Sequence, residues 1–129
     1  MPNKPLILIV DDEAAFREIF STKLLSAGYR IEVAESGAEG VKKAKELKPD
    51  LVLLDVNMPV MDGATALLQL QDDPETKGIK TVFLTSLGDP REEIKVQNSK
   101  FSEQLGAKGY LRKIDDLDTL VEQIESFLK

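Results

Sequence analysis

Five short apolar runs recur along the chain, and the stretches between them carry a helical pattern. The runs are Leu6–Val10, Arg30–Ala34, Asp50–Leu54, Thr81–Leu84 and Gly109–Leu111. The first, third and fourth are almost continuous in Leu, Ile, Val and Phe, which is typical of strands buried on both faces of a parallel sheet. The second alternates polar and apolar residues, which favours a strand at the sheet edge. Five strands alternating with helices predict an open α/β sheet with helices on both faces.

Three of the intervening stretches carry apolar stripes at a spacing of about 3.6 residues. The stripes are Phe16, Ile19, Phe20 and Leu24; Val41, Ala44 and Leu47; and Leu117, Leu120, Val121, Ile124 and Leu128. Gly28 follows the first stripe at a natural helix stop. Ser36 and Glu39 form a capping box ahead of the second, and Asp115 or Asp116 is the expected N-cap of the third.

The composition excludes several kinds of site. The chain has 129 residues, so we expect one domain over residues 1–129. It contains no Cys and no His, which excludes disulfides, thiolate catalysis and metal sites built on those residues. Any metal must therefore bind to oxygen ligands, as Mg²⁺, Mn²⁺ and Ca²⁺ do. The net charge of −6 weighs against nucleic acid as the main partner.

The sequence gives no sign of membrane insertion or secretion. Leu6–Val10 and Leu51–Leu54 are the longest apolar runs, and both are far too short to span a bilayer. Leu6–Val10 is followed at once by Asp11 and Asp12, unlike a secretory signal. We therefore expect a cytoplasmic protein.

Polar residues fall where the predicted strands end. Asp11 and Asp12 follow the first run, Asp55 follows the third, Thr85 follows the fourth, and Lys113 comes just after the fifth. Open α/β sheets bind ligands beyond the carboxyl ends of their strands, so we expect these side chains to share one edge. Three carboxylates repel one another unless a cation lies among them, and the candidates are a hard divalent cation and Lys113. Such a site could hold a phosphate, with Thr85 and Lys113 donating to its oxygens.

Each of these residues also has an ordinary structural explanation. An Asp after a strand is commonly a turn residue or a helix cap. Thr, Ser and Lys near strand ends are commonly solvated. The hypothesis of a functional site depends on all of them falling at the same edge of one sheet.

Four motifs stand in order along nearly the whole chain, from Leu6 to about Leu128. They are LIVDDE at 8–13, DLVLLDVNMPVMDG at 50–63, FLTS at 83–86 and GAKGYLRK at 106–113. This ordered set resembles the receiver domains of two-component response regulators, the CheY-like family. The resemblance implies a flavodoxin-like, doubly wound, five-stranded parallel sheet of strand order 2-1-3-4-5, with helices on both faces.

The resemblance also implies a metal site and an acceptor. Asp55 would accept the phosphoryl group. Asp12 would bind Mg²⁺ directly, and Asp11 mainly through water. The backbone carbonyl of Asn57 would complete the protein's share of the metal shell, which also includes Asp55, and Mn²⁺ is a possible substitute.

Three further residues would act on the phosphoryl group or respond to it. Thr85 would be the switch hydroxyl, Lys113 the phosphate-binding ammonium, and Tyr110 the aromatic ring that moves inward when Thr85 shifts. The resemblance thus implies a signalling switch, not a turnover enzyme. A sensor histidine kinase or phosphotransfer protein would donate to Asp55. A downstream protein or a second copy of the chain would read the changed surface, as in a phosphorylation-dependent homodimer, without direct contact with nucleic acid or membrane.

The chain departs from the family pattern in three ways. Ile114 follows Lys113 where Pro is usual, so we expect a trans peptide bond there. Lys80 and Ser86 stand where Pro and Ala are common. The segment between Thr85 and Lys113 is longer than usual, with the extra length around Asp89–Gln104.

Two structures for the longer segment are open. It could be an extended surface loop. It could instead contain a helix that buries Ile94, Phe101 and Leu105 and forms, with Tyr110 and the last helix, a face that a partner reads.

Two other functions also remain as alternatives. One is a Mg²⁺-dependent phosphatase of the haloacid-dehalogenase kind, but such enzymes usually carry a second Asp two residues after the nucleophile, where this chain has Asn57. The other is an interaction module that works without phosphorylation. The presence of the full set Asp11, Asp12, Asp55, Thr85 and Lys113 disfavours it, since such a module need not retain them.

Overall fold

The computed structural model describes residues 4–56, 63–85, 108–113 and 116–129. In chain order the elements are β1 (Leu6–Val10), α1 (Ala14–Ser26), β2 (Arg30–Ala34), α2 (Gly37–Leu47), β3 (Leu51–Asp55), α3 (Gly63–Asp72), β4 (Lys80–Thr85), β5 (Gly109–Arg112) and α4 (Leu117–Leu128). The strands form one parallel sheet in the order β2-β1-β3-β4-β5. This confirms the predicted doubly wound sheet of order 2-1-3-4-5.

Alternate residues of the central strands feed two separate hydrophobic layers. In β1, Leu8 and Val10 pack with residues of α2 and α3, whereas Ile7 and Ile9 pack with residues of α1 and α4. This division follows from the two-residue period of a strand, which sends successive side chains to opposite faces. All five residues of β3 are buried, as expected for a strand covered on both faces. The sheet therefore carries helices on both faces, as predicted.

The edge strand and the helix ends mostly agree with the sequence patterns. β2 alternates exposed and partly buried residues before the buried Ala34. Gly28 has a φ of 101° just after α1, which only Gly adopts without strain. Asp116 is the N-cap of α4 and accepts from the Thr119 N–H at 2.9 Å. The alternative cap, Asp115, lies outside the described residues.

Three details differ from the sequence predictions. The Ser36 hydroxyl accepts from the Glu39 N–H as predicted, but the Glu39 carboxylate accepts from Glu35 N–H, one residue before the expected partner. Ile19 is 56% exposed, because it lies about 100° around the helix from Phe20, which faces the core. Leu47, in the last turn of α2, is also exposed.

None of the helices among the described residues combines the length and the apolar character needed to cross a bilayer.

Candidate functional site

The strand order brings four of the predicted site residues, Asp11, Asp55, Thr85 and Lys113, to one edge of the sheet. β1 and β3 are neighbours, with Val10 opposite Leu54, so Asp11 and Asp55 come next on adjacent strands. Asp55 and Thr85 are the last residues of β3 and β4. The apolar runs had predicted that both residues would come just after their strands. Lys113 directly follows β5, whose Arg112 is opposite Thr85.

Three carboxylates converge at this edge. Asp11, Asp12 and Asp55 each offer an oxygen atom, and these atoms lie within 4.8 Å of one another. Asp11 and Asp55 are buried, whereas Asp12 is exposed. Buried carboxylates are unfavourable without a compensating charge or hydrogen bond. This group therefore requires a cation.

Lys113 supplies one positive charge to the cluster. Its Nζ lies 2.6 Å from Asp11 Oδ2, 2.6 Å from Glu13 Oε1 and 3.3 Å from Asp55 Oδ2. Only 6% of the Lys113 side chain is exposed, and the centroid of the Phe16 ring lies 4.9 Å from Nζ. Burial acts to lower the pKa of Lys113, but the hydrogen bonds that its ammonium donates to Asp11 and Glu13, with the charges of Asp11 and Asp55, outweigh burial and raise the pKa above the ordinary 10.5. The side chain is therefore an ammonium at neutral pH.

Hydrogen bonds fix the loop that carries Asp11. The Asp11 Oδ1 atom accepts from the Glu13 N–H at 2.9 Å, and the Asp11 carbonyl accepts from Arg17 Nη1 at 2.6 Å. The Asp11 N–H donates to the Ala34 carbonyl of β2 at 3.1 Å. These bonds hold the start of α1 against the sheet, so that Glu13 and Phe16 face Lys113.

Thr85 and Tyr110 lie on the neighbouring strands β4 and β5. Thr85 is fully buried, and its backbone carbonyl accepts from the Lys113 N–H at 2.8 Å. Tyr110 is opposite Phe83 in the sheet and is 41% exposed. Tyr110 is therefore partly in contact with solvent.

Several predicted residues lie outside the described part of the chain. They are Asn57, Ser86, Ile114 and the segment Asp89–Gln104 with Ile94 and Phe101, together with Leu105. Sequence reasoning also missed the contacts that Glu13 and Phe16 make with Lys113. The position of Glu13 immediately after the acidic pair was the available signal, since it places a fourth carboxylate at the same edge.

The donor set fits a hard divalent cation. Four carboxylates lie in this cluster, those of Asp11, Asp12, Asp55 and Glu13, and the ammonium of Lys113 balances only one of their charges. Carboxylate oxygens are the ligands that Mg²⁺ and Mn²⁺ prefer. The exposed Asp12 gives solvent access to the cluster, which suits an ion that keeps several of its waters.

The fold and site together define a flavodoxin-like domain with an acidic cluster and a lysine at the carboxyl edge of its sheet. The sequence profile of the response regulator receiver domain matches residues 7–125. The chain belongs to this family, whose members act in two-component signalling.

Individual relatives agree with this assignment. Protein PilH of Pseudomonas aeruginosa is 34% identical over 122 residues, which cover 95% of this chain and 96% of PilH. The DNA-binding dual master transcriptional regulator RpaA of Synechocystis is 34% identical over 125 residues, but this chain spans only 49% of its length. The high-resolution structure of the chemotaxis response regulator CheY4 of Vibrio cholerae superimposes with a TM-score of 0.85 at 29% identity, covering 97% of this chain and 99% of CheY4.

Proposed function

We propose that the chain is a phosphoacceptor switch whose acceptor is Asp55. A phosphohistidine on a sensor histidine kinase or a phosphotransfer protein donates the phosphoryl group in a Mg²⁺-dependent reaction, in which Mn²⁺ can replace Mg²⁺. The observation that carries this proposal is the position of Asp55. Its carboxylate lies at the carboxyl end of a buried strand, within 4.8 Å of Asp11 and Asp12 oxygens and 3.3 Å from Lys113 Nζ.

The transfer requires a nucleophile and charge stabilisation. A carboxylate oxygen of Asp55 attacks phosphorus, so a P–O bond forms as the P–N bond to the donor imidazole breaks, and the imidazole leaves with the electron pair. Lys113 and the Thr85 hydroxyl stabilise charge on the phosphoryl oxygens. When bound by Asp12, by Asp55, by Asp11 through water and by the Asn57 carbonyl, Mg²⁺ would neutralise charge on those oxygens.

The same site limits the lifetime of the product. Water attacks the phosphorus of the acyl phosphate, the P–O bond to Asp55 breaks, and inorganic phosphate leaves. The free carboxylate of Asp55 is then restored. Between these two steps the phosphorylated chain presents a changed surface, and that state is the signal, so the chain acts as a switch and not as a turnover enzyme.

Thr85 and Tyr110 would convert phosphorylation into a changed surface. Thr85 moves toward the phosphoryl oxygens and vacates space, which the Tyr110 ring then enters. The burial of Thr85 on β4 and the partial exposure of Tyr110 on the adjacent β5 support this pairing.

The reader of that surface would be a protein. We propose a downstream target protein or a phosphorylation-dependent homodimer as the partner of a single receiver domain over residues 1–129. The net charge of −6 supports protein contact over direct contact with nucleic acid. A cytoplasmic location is consistent with a phosphohistidine donor.

Incubation with acetyl phosphate and Mg²⁺, followed by intact-mass measurement, tests the acceptor. The wild-type protein should gain the mass of one phosphoryl group. Asp55→Asn should gain none, because it removes the nucleophile while preserving size. Asp72→Asn makes the same change at an exposed position of α3 and should behave as wild type.

Other outcomes would point to other functions. Sustained hydrolysis of acetyl phosphate without an adduct would indicate a phosphatase. Neither adduct nor hydrolysis would indicate an interaction module that works without phosphorylation. An Asp55→Asn protein phosphorylated at the wild-type rate would show that the acceptor lies elsewhere.

A further inference from the structure

Glu13 lies at the N-cap of α1 but does not cap the helix. Its backbone is extended, as at most N-caps, yet its side chain makes no capping hydrogen bond. The Glu13 carboxylate instead contacts Lys113, which is 100 residues further along the chain, with 2.6 Å between Oε1 and Nζ. The side chain of Glu13 thus contacts the acidic site and not the end of the helix.

The ammonium of Lys113 has three N–H donors, and three carboxylates surround it. The Nζ atom is closer to Asp11 and Glu13, at 2.6 Å each, than to Asp55 at 3.3 Å. A phosphoryl oxygen on Asp55 can therefore bind this ammonium only by displacing one of the three. Asp11 is fully buried and needs the positive charge, whereas the Glu13 side chain is 59% exposed and can be solvated by water.

We propose that Glu13 is a positioning residue that holds Lys113 in a resting position and is released when Lys113 binds the phosphoryl group. This inference rests on the proposed function of Asp55 as acceptor. In the resting position the ammonium lies on the α1 side of the cluster, against Asp11, Glu13 and the Phe16 ring. When a phosphoryl oxygen replaces the Glu13 carboxylate, the Lys113 ammonium moves toward Asp55. Glu13 therefore opposes phosphorylation, and loss of its charge should accelerate the transfer.

The variant Glu13→Gln tests this role, with Glu35→Gln as its matched control. Glu35 is an exposed carboxylate that follows β2 at the same edge of the sheet, so its substitution makes the same change in charge near the site. With acetyl phosphate and saturating Mg²⁺, the initial phosphorylation rate of Glu13→Gln should rise about two- to five-fold, the range expected for a partly exposed ion pair. The rate of Glu35→Gln should stay close to wild type.

A second measurement uses neither metal nor phosphodonor. The rate at which an amine-acylating reagent modifies Lys113, followed by peptide mass spectrometry at fixed pH, reports how often the side chain leaves the cluster and loses its proton, since only the neutral amine reacts. This rate should rise in Glu13→Gln and not in Glu35→Gln. The difference should shrink at about 1 M salt, where charges are screened over about 3 Å. Equal melting temperatures of the variants would confirm that folding is preserved.

The outcomes separate this inference from the proposed function. A wild-type protein that gains no phosphoryl mass would overturn the proposed function and with it the role of Glu13. Normal wild-type phosphorylation with an unchanged or slower rate in Glu13→Gln would overturn the role of Glu13 alone. An unchanged rate of Lys113 acylation in Glu13→Gln would also overturn the role of Glu13. Equal effects of Glu13→Gln and Glu35→Gln would overturn it too, because they would indicate a general effect of charge.

Discussion

The backbone N–H of Lys113 donates to the backbone carbonyl of Thr85 at 2.8 Å, which ties the residue after β5 to the last residue of β4. Thr85 and Lys113 are the two residues that we propose to contact the phosphoryl oxygens. Because the bond joins main-chain atoms, a change to either side chain leaves it in place. Substitutions at Thr85 therefore test the hydroxyl separately from the position of Lys113.

Thr85→Ala should leave Asp55 able to accept a phosphoryl group but weaken the response of Tyr110. The hydroxyl that follows the phosphoryl group is lost, so the space for the Tyr110 ring is no longer coupled to the acceptor. NMR signals of the Tyr110 ring, recorded with and without the phosphoryl mimic beryllofluoride, measure this response. Thr81→Ala, the same change at another buried position of β4, should preserve it. A wild-type Tyr110 that does not respond to beryllofluoride would contradict the coupling.

Mg²⁺ should raise the melting temperature, because the cation binds the folded cluster of Asp11, Asp12 and Asp55 and not the unfolded chain. At ten times the dissociation constant, the free energy of unfolding should rise by about 1.4 kcal/mol. Asp12→Ala should abolish the rise more completely than Asp11→Ala, since Asp11 is buried and paired with Lys113. Thermal melts across millimolar Mg²⁺ check this, and a constant wild-type melting temperature would argue against the site.

The parallel sheet and the edge that carries the acids could be predicted from the apolar pattern of the sequence, whereas the strand order came only from the resemblance to receiver domains. Continuous apolar runs indicated strands covered on both faces, and parallel strands place their carboxyl ends at one edge. The apolar runs placed the ends of β3 and β4 one residue too early. The polar side chains of Asp55 and Thr85 interrupt the apolar pattern, yet both residues still pair in the sheet.

The sequence patterns did not predict the direction in which individual side chains point. Ile19 matched the apolar stripe of α1 by spacing, but the buried face is narrow and centred on Phe20 and Leu24. The contact between Glu13 and Lys113 joins residues that no local pattern connects. It depends on the β1–α1 turn and on the placement of β5 at the opposite edge of the sheet from β2.

Lys113→Met should lower the free energy of unfolding by about 3 kcal/mol, because it leaves the buried Asp11 carboxylate without its ammonium. Urea denaturation measures the change. Lys108→Met, at an exposed position just before β5, should have little effect. A Lys113→Met protein as stable as wild type would show that Asp11 does not depend on Lys113.

Alkaline pH should remove the stabilisation that the charged Lys113 side chain provides. The pKa of Lys113 is raised in the folded state above the ordinary 10.5, so the folded protein retains a proton that the unfolded chain releases. The stabilisation is complete below about pH 10.5 and is lost as the pH rises above it. Burial and the charge of Glu125 also raise the pKa of Tyr29. This shift, too, makes the free energy of unfolding fall as the pH rises. Since Tyr29 is common to both proteins, stability above pH 10.5 should fall more steeply in wild type than in Lys113→Met. If the free energy of unfolding falls equally with pH in wild type and Lys113→Met, the raised pKa of Lys113 does not contribute to stability.

Gly40 allows α2 to approach β1 closely, directly beside the residue that precedes Asp11. A Cβ atom at Gly40 would lie 2.7 and 2.8 Å from the two γ carbons of Val10, which is fully buried. Gly40→Ala should therefore cost about 1–3 kcal/mol of stability from overpacking, offset by up to about 1 kcal/mol from the better helix propensity of Ala. At Gly78 a Cβ atom would meet open space, so Gly78→Ala should change stability by less than about 0.5 kcal/mol.

A double-mutant cycle would show whether the Gly40 effect arises at Val10. In a Val10→Ala background the two γ carbons are gone, so adding Gly40→Ala should no longer destabilise the protein and should recover the helix-propensity gain. Urea denaturation of the four proteins gives the interaction free energy between the two positions. If Gly40→Ala costs as much without the Val10 methyl groups as with them, its effect does not come from the contact between α2 and β1.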